Sequence, residues 1–210
     1  MASPGRSTLS AFGINCTLTP GGKISSTQKL LDQLLSAMAQ YQVQTSSARL
    51  VDLDIKPGVS ADEGAGDDWP DVRRRILDAN ILVMATPIWM GHPSSVAQRV
   101  LERMDAFLDE IDEEGRYPTF GRVAVVGVVG NEDGAHHVTA ELYQGLTDVG
   151  FTIPGGSSAY WVGEAMGDTN YKDVKKTPEP VAEAIRTLAC NAVHLARLLA
   201  DAPYPAPKPG

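Results

Sequence analysis

The sequence predicts an α/β fold: a three-layer sandwich in which a five-stranded parallel sheet carries helices on both faces. Two runs anchor that reading. Residues 81–85 (ILVMA) and 122–129 (RVAVVGVV) are apolar stretches too short for helices and suited to strands buried on both faces. Each leads through a loop into apolar residues at helical spacing, and the strand-then-helix unit recurs five times along the 210 residues. The expected strand order is 2-1-3-4-5, with ligands bound outside the carboxyl ends of the strands where that order reverses.

The elements follow in order. Residues 1–7 are expected to be a flexible arm. Residues 8–14 form a first buried strand through Leu9, Ala11, Phe12 and Ile14. After a loop with Pro20, Gly21 and Gly22, Ser25 and Gln28 fit an S-x-x-Q capping box before a helix through Leu30, Leu31, Leu34, Leu35 and Met38. Residues 48–53 read as the second strand and residues 54–67 as a polar surface loop. Asp68 is a plausible cap for a helix with Val72, Ile76 and Leu77 inward. After the third strand, Ser94 or Ser95 caps a helix through Val96, Val100, Leu101, Met104, Leu108 and Ile111. The strand at 122–129 leads to a helix through Val138, Leu142, Leu146 and Val149, ended by Gly150. Residues 151–154, continued by 159–162, are the fifth strand. Residues 180–199 form a long amphipathic helix. Residues 202–210 are a Pro-rich tail expected to be disordered. Residues 8–201 are expected to form one domain, with no room for a second.

Composition narrows the function. The chain carries 26 acidic against 18 basic residues, a net charge of −8, which argues against a nucleic-acid partner. No stretch approaches the roughly 18 apolar residues of a membrane span, so no membrane partner is expected. The start MASPGRSTLS lacks the apolar core of a signal peptide. The only cysteines, Cys16 and Cys190, form no C-x-x-C pair and are expected to be buried thiols of a reduced, cytoplasmic protein.

In the expected strand order, three unusual loops meet at the switch point. The first leads to Ser25-Ser26-Thr27 at a helix start, where free amides and hydroxyls bind phosphate; equally, Ser25 could serve as a cap alone. Neither the G-x-x-x-x-G-K-[ST] loop nor the G-x-G-x-x-G fingerprint is present. The second loop is Thr86-Pro87-Ile88-Trp89-Met90-Gly91-His92. Pro87 and the following Pro93 stiffen it, and its apolar and aromatic residues suit a flat ligand better than a phosphate; a core or interface Trp is the plainer alternative. The third is Gly130-Asn131-Glu132-Asp133-Gly134-Ala135-His136-His137. The His pair suggests a metal, but adjacent histidines point apart on a helix, and His92 and His194 show no ligand spacing with them; no metal is expected.

The segments FGINCTLTPGGKISSTQKLL, MATPIWMGHPSSVAQRVLERMD, VGNEDGAHH and AYWVGEAMGDTNYKD together resemble flavodoxin-like FMN proteins. The similarity is to the NADPH-dependent FMN reductase and multimeric-flavodoxin group, which includes quinone reductases, and it covers roughly residues 8–173. The second segment is the most specific: Pro, an apolar residue, an aromatic, any residue, Gly, then Ser before a long helix. The resemblance implies that Thr17, Leu18, Ser25, Ser26 and Thr27 hold the FMN phosphate. It implies that Pro87, Ile88, Trp89, Met90 and Gly91 line the ribityl chain and isoalloxazine. It places Asn131, Glu132, Asp133, Gly134 and His136 around the ring.

A flavin supplies the redox chemistry at its N5, so no catalytic acid or base is required of the chain. The resemblance implies NAD(P)H as co-substrate, using the flavin pocket itself, and a small acceptor such as a quinone or flavin. The alternative is a flavodoxin-type electron carrier for protein partners. Residues 159–173, with Tyr160, Trp161, Met166 and Tyr171, are expected to form a rim over the flavin or a subunit contact, or else an ordered surface loop. This segment and the long last helix favour a homodimer or homotetramer.

Overall fold

A computed structural model describes residues 8–206. The expected arm at 1–7 and residues 207–210 of the expected tail lie outside the described residues. Six strands, β1 (Ser10–Asn15), β2 (Gln44–Arg49), β3 (Ile81–Trp89), β4 (His92–Pro93), β5 (Val123–Val129) and β6 (Ser158–Trp161), accompany five α-helices. These are α1 (Ser26–Ala39), α2 (Trp69–Asp78), α3 (Ser95–Met104), α4 (Ala135–Asp148) and α5 (Glu179–Asp201). The sheet runs β2-β1-β3-β5-β6. Its strand pairs are all parallel, and β4 is a two-residue antiparallel return on the end of β3. Leaving that return aside, the order is the 2-1-3-4-5 expected from the sequence.

Alternation along the strands divides the core into two halves. One face packs Ala11, Ile81, Val83 and Val125 against Leu30, Leu34 and Met38 of α1 and Ile185, Leu188 and Ala192 of α5. The other packs Phe12, Ile14, Leu82, Met84 and Val126 against α2, α3 and α4. Strands buried on both sides therefore read as unbroken apolar runs, which is why β3 and β5 were visible in the sequence.

The edges were less visible. β2 spans Gln44–Arg49 rather than 48–53, and residues 50–52 form a 3-10 turn. As an edge strand it exposes Gln44, Thr45, Ser46 and Ser47, so its apolar signal is displaced to Leu50 and Leu53 beyond it. Of residues 151–154, only Thr152 bridges to the sheet, opposite Val123; the strand proper is β6. Pro154 and the Gly155-Gly156 turn prevent continuous pairing.

α3 ends at Met104, followed by a 3-10 turn to Asp109 that leaves Ile111 exposed instead of inward. Ser94 caps α3, its hydroxyl accepting from the Ala97 amide at 3.1 Å. Asp68 makes no such cap on α2; Asp67 accepts from the Trp69 amide at 3.1 Å instead. Cys16 is buried as expected, and burial pushes its thiol well up. Cys190 is exposed, because α5 turns Leu188, Ala189, Ala192 and Val193 inward and residue 190 outward. In the segment expected to be a tail, the Tyr204 hydroxyl lies 2.9 Å from that of Thr152.

Candidate functional site

The carboxyl ends of β1, β3 and β5 open into one cavity of about 220 Å³. The first loop enters it from a buried hydrogen-bonded base. Asn15, at the end of β1, accepts from the Thr17 amide (2.9 Å) and donates to Gln28 (2.7 Å). The Ser25 hydroxyl donates to that of Thr17 (3.1 Å) and accepts from the Gln28 amide (3.3 Å). Only half of the expected capping box forms, since the Gln28 side chain serves Asn15 and Asp32. Arg49 fixes the loop from outside by donating to the carbonyls of Pro20 (2.9 Å) and Lys23 (3.1 Å). The amides of Ser26 and Thr27 stand in the first turn of α1, where no intrahelical acceptor exists.

The second loop is a tight hairpin. Met90 and Gly91 have φ of +54° and +78°, the signature of a two-residue type I′ turn that folds β4 back on β3. The Gly91 amide donates to the Glu132 carboxylate (2.9 Å), so the third loop grips the second. They also touch through backbone: a Cβ on Gly134 would stand 2.9 Å from the Gly91 Cα. Thr86 and Ser94 close the base, the Ser94 amide donating to Thr86 Oγ1 at 3.1 Å and its hydroxyl to the Cys16 carbonyl at 2.6 Å.

The segment 159–173 reaches the same cavity. The Lys172 amide donates to Ser26 Oγ (3.1 Å), and Lys29 on α1 donates to the carbonyls of Tyr171 (3.0 Å) and Val174 (2.6 Å). At the other end the Met166 amide donates to the Asn131 carbonyl and the Asn131 side chain to the Gly167 carbonyl, both at 2.6 Å. Trp161 and Tyr171 pack with ring centroids 5.3 Å apart.

Ten of the residues singled out in the sequence line this cavity: Thr17, Leu18, Ser25, Ser26, Thr27, Pro87, Ile88, Trp89, Asn131 and Glu132. Met90, Gly91, Asp133, Gly134 and His136 stand beside it rather than in its wall. His136 turns to Tyr160, its Nε2 3.1 Å from the phenol oxygen. The wall also includes Ile24, Trp161, Asn170, Tyr171 and Lys172, of which Ile24, Asn170 and Lys172 carried no individual signal in the sequence. A larger groove of about 810 Å³ runs along the outside of α1 and α5. It is more open and touches neither the second loop nor the third, so the strand-end cavity is the candidate site.

The arrangement offers a hydroxyl-rich helix N-terminus beside an apolar, aromatic wall. It fits a ligand with a phosphate at one end and a flat ring at the other. The family model for NADPH-dependent FMN reductase matches residues 10–166. The chain belongs to the NADPH-dependent FMN reductase family. FMN is that family's flavin and NADPH its reductant.

Among relatives, this FMN reductase family member is 33% identical over 207 residues to 8-demethyl-8-aminoriboflavin-5′-phosphate synthase of Streptomyces davaonensis, covering 93% of this chain and 80% of that protein. It is 40% identical over 169 residues to a protein of Mycobacterium bovis named divalent metal cation transporter MntH, covering 79% of this chain. The match spans only 25% of the transporter's length, and no helix among the described residues is long and apolar enough to cross a membrane. Of solved structures, RosB with bound 8-demethyl-8-formylriboflavin-5′-phosphate superposes with a TM-score of 0.85 at 31% identity, over 94% of this chain and 82% of that one. A flavone reductase superposes at 0.66 with 14% identity, over 93% of this chain and 66% of that one, which shows the fold alone.

Proposed function

We propose that this reductase passes hydride from NADPH to a small acceptor such as a quinone or a flavin, with FMN held in the strand-end cavity. The observation that carries it is convergence: all three loops and the 159–173 rim contribute to one cavity. Bound FMN supplies hydride acceptance and release at N5. The chain supplies the binding. Ser25, Ser26 and Thr27, with the first-turn amides of α1, hold the phosphate, and Lys172 offsets its charge. Pro87, Ile88 and Trp89 line the ring side, joined by Trp161. Glu132 and Asn131 act mainly on the protein, one bracing the hairpin and the other the rim. Nothing in this assignment asks a side chain to transfer a proton.

The test is anaerobic addition of NADPH to the FMN-loaded protein. The flavin absorbance is expected to bleach and to return when a quinone is added. A flavin that binds but is not bleached overturns the reductase reading and favours an electron carrier.

A second reading makes the flavin itself the substrate. It is supported by the 33% and 31% identical relatives, the first named as a synthase of a modified riboflavin-5′-phosphate and the second solved with one bound as an intermediate. Mass spectrometry of the flavin after aerobic incubation with amino donors separates the two. A flavin of unchanged mass marks a cofactor, and a changed one marks a substrate.

Leu18, Ile24 and Trp89 of the cavity wall are exposed, as are Met90 of the hairpin turn and Met166 of the rim. Clustered apolar side chains of this size favour cover by a second copy, so a homodimer or homotetramer is expected by light scattering.

A further inference from the structure

We propose that His92, His137 and Glu141 form a binding site for a divalent transition-metal cation, beside the flavin cavity and independent of it. The three side chains come from two elements. His92 is the first residue of β4, directly after the hairpin turn. His137 and Glu141 are four residues apart on α4 and so share one face of that helix. The fold brings the two together: His92 Nδ1 lies 2.8 Å from Glu141 Oε1, and His137 Nε2 bonds to the same oxygen. The candidate ligand atoms all lie within 4.8 Å of one another. The two imidazoles meet edge to face, centroids 5.0 Å apart.

The donor set selects the ion. Two imidazole nitrogens and one carboxylate oxygen suit zinc, nickel or copper, whereas calcium and magnesium want oxygen alone. Three protein ligands leave a tetrahedral ion one position for water. Metal–nitrogen bonds near 2.0 Å place tetrahedral ligand atoms about 3.4 Å apart. The present spacing reaches that with small side-chain rotations. The histidine side chains, 62% and 55% exposed, have room for them around Glu141, which is 30% exposed. The glutamate matches part of the ion's charge, and the chain's net charge of −8 favours cation capture. Neither of the sequence arguments against a metal applies. His136 and His137 do point apart, but the partner of His137 is His92, brought in by the hairpin rather than by sequence spacing.

The site joins β4 to α4. The second and third loops already meet there through the Gly91–Glu132 hydrogen bond and the Gly91–Gly134 contact. A bound cation therefore fastens two of the three loops around the cavity and stabilises the folded chain by linkage.

The experiment is calorimetric titration of the tag-free, full-length protein with zinc chloride, without flavin, alongside melting curves with and without zinc. One equivalent of zinc is expected to bind and to raise the melting temperature. His92→Ala, His137→Ala and Glu141→Gln should each weaken binding at least about tenfold and remove the melting shift. His194→Ala, on α5, should change neither. Cobalt should give ligand-field bands in the wild type that are lost in His92→Ala. Failure of the wild type to bind one equivalent overturns the proposal. So does binding retained in both His92→Ala and His137→Ala, which would assign the ion elsewhere. Neither result bears on whether FMN is bound or reduced.

Discussion

Met90 is a methionine where the backbone wants glycine or asparagine. Its φ of +54° lies in the left-handed region, which costs a residue with a Cβ about 1–2 kcal/mol, and its side chain is 89% exposed. Neither feature serves the fold, so both point to a ligand or a second subunit at the cavity mouth. Met90→Gly is therefore expected to raise stability by about 1 kcal/mol in urea unfolding while weakening FMN binding. A gain in both would place Met90 outside the site. Trp89, beside it, is 54% exposed and lies in the cavity wall. Trp89→Ala should raise the FMN dissociation constant about tenfold, as loss of one ring-stacking partner does; flavin fluorescence quenching reads this directly. The Trp between Pro87 and Gly91 was legible because its neighbours are loop-formers. The role of Glu132 was not: a carboxylate gripping the Gly91 amide depends on two loops meeting, and no spacing within one loop shows it.

The same gap between pattern and contact recurs at the scale of elements. Residues 54–67 read as a polar surface loop, but they are strapped to α3 by a pair whose side chains are both 0% exposed, Arg103 and Asp67 at 2.8 Å. Arg103 also donates to the carbonyls of Lys56 and Ser60, each at 2.9 Å. Burial alone would push the Asp67 carboxyl up. The Arg103 guanidinium, with the amides of Glu63, Trp69 and Lys56, outweighs it and holds Asp67 well below the usual carboxylate range. Arg103, one of two arginines on an amphipathic helix, gives no hint of this, because its partner is 36 positions away. Breaking such a pair strands a buried charge, so Asp67→Asn should cost about 3–5 kcal/mol at neutral pH. The sign with pH follows from the depressed value. As pH falls below about 4, the unfolded chain takes up a proton at Asp67 that the folded chain refuses, and the wild type loses stability. Asp67→Asn lacks that proton uptake. Urea unfolding on either side of pH 4 should show the difference between the two proteins shrinking in acid; a constant difference would mean that Asp67 does not titrate differently on folding.

For the molecule as a whole, the sheet order came through because β1, β3 and β5 are buried on both faces and so carry apolar residues at successive positions through their centres. That order brings the three loops together, so most of the cavity wall was legible with it. Residues 159–173 were legible as a rim or, equally, as a surface loop; the bonds that hold them to the cavity were not, because they join residues far apart in the sequence. Lys29 reaches from α1 to the carbonyls of Tyr171 and Val174, with its ammonium 5.0 Å from the centre of the Tyr171 ring. Tyr171 is itself bound through its hydroxyl to Gln33 at 2.5 Å, so α1 holds this segment at three residues, Ser26, Lys29 and Gln33. A charged donor to two carbonyls is worth about 1.5–3 kcal/mol per bond when lost. Lys29→Met keeps the stem and removes the charge. It should loosen the rim locally and leave the sheet intact. Hydrogen exchange should then quicken at 170–174 with little change in β3 and β5, and FMN should dissociate several-fold faster. If exchange quickens and flavin dissociation is unchanged, the segment is an ordered surface loop and the cavity is closed by the first two loops alone.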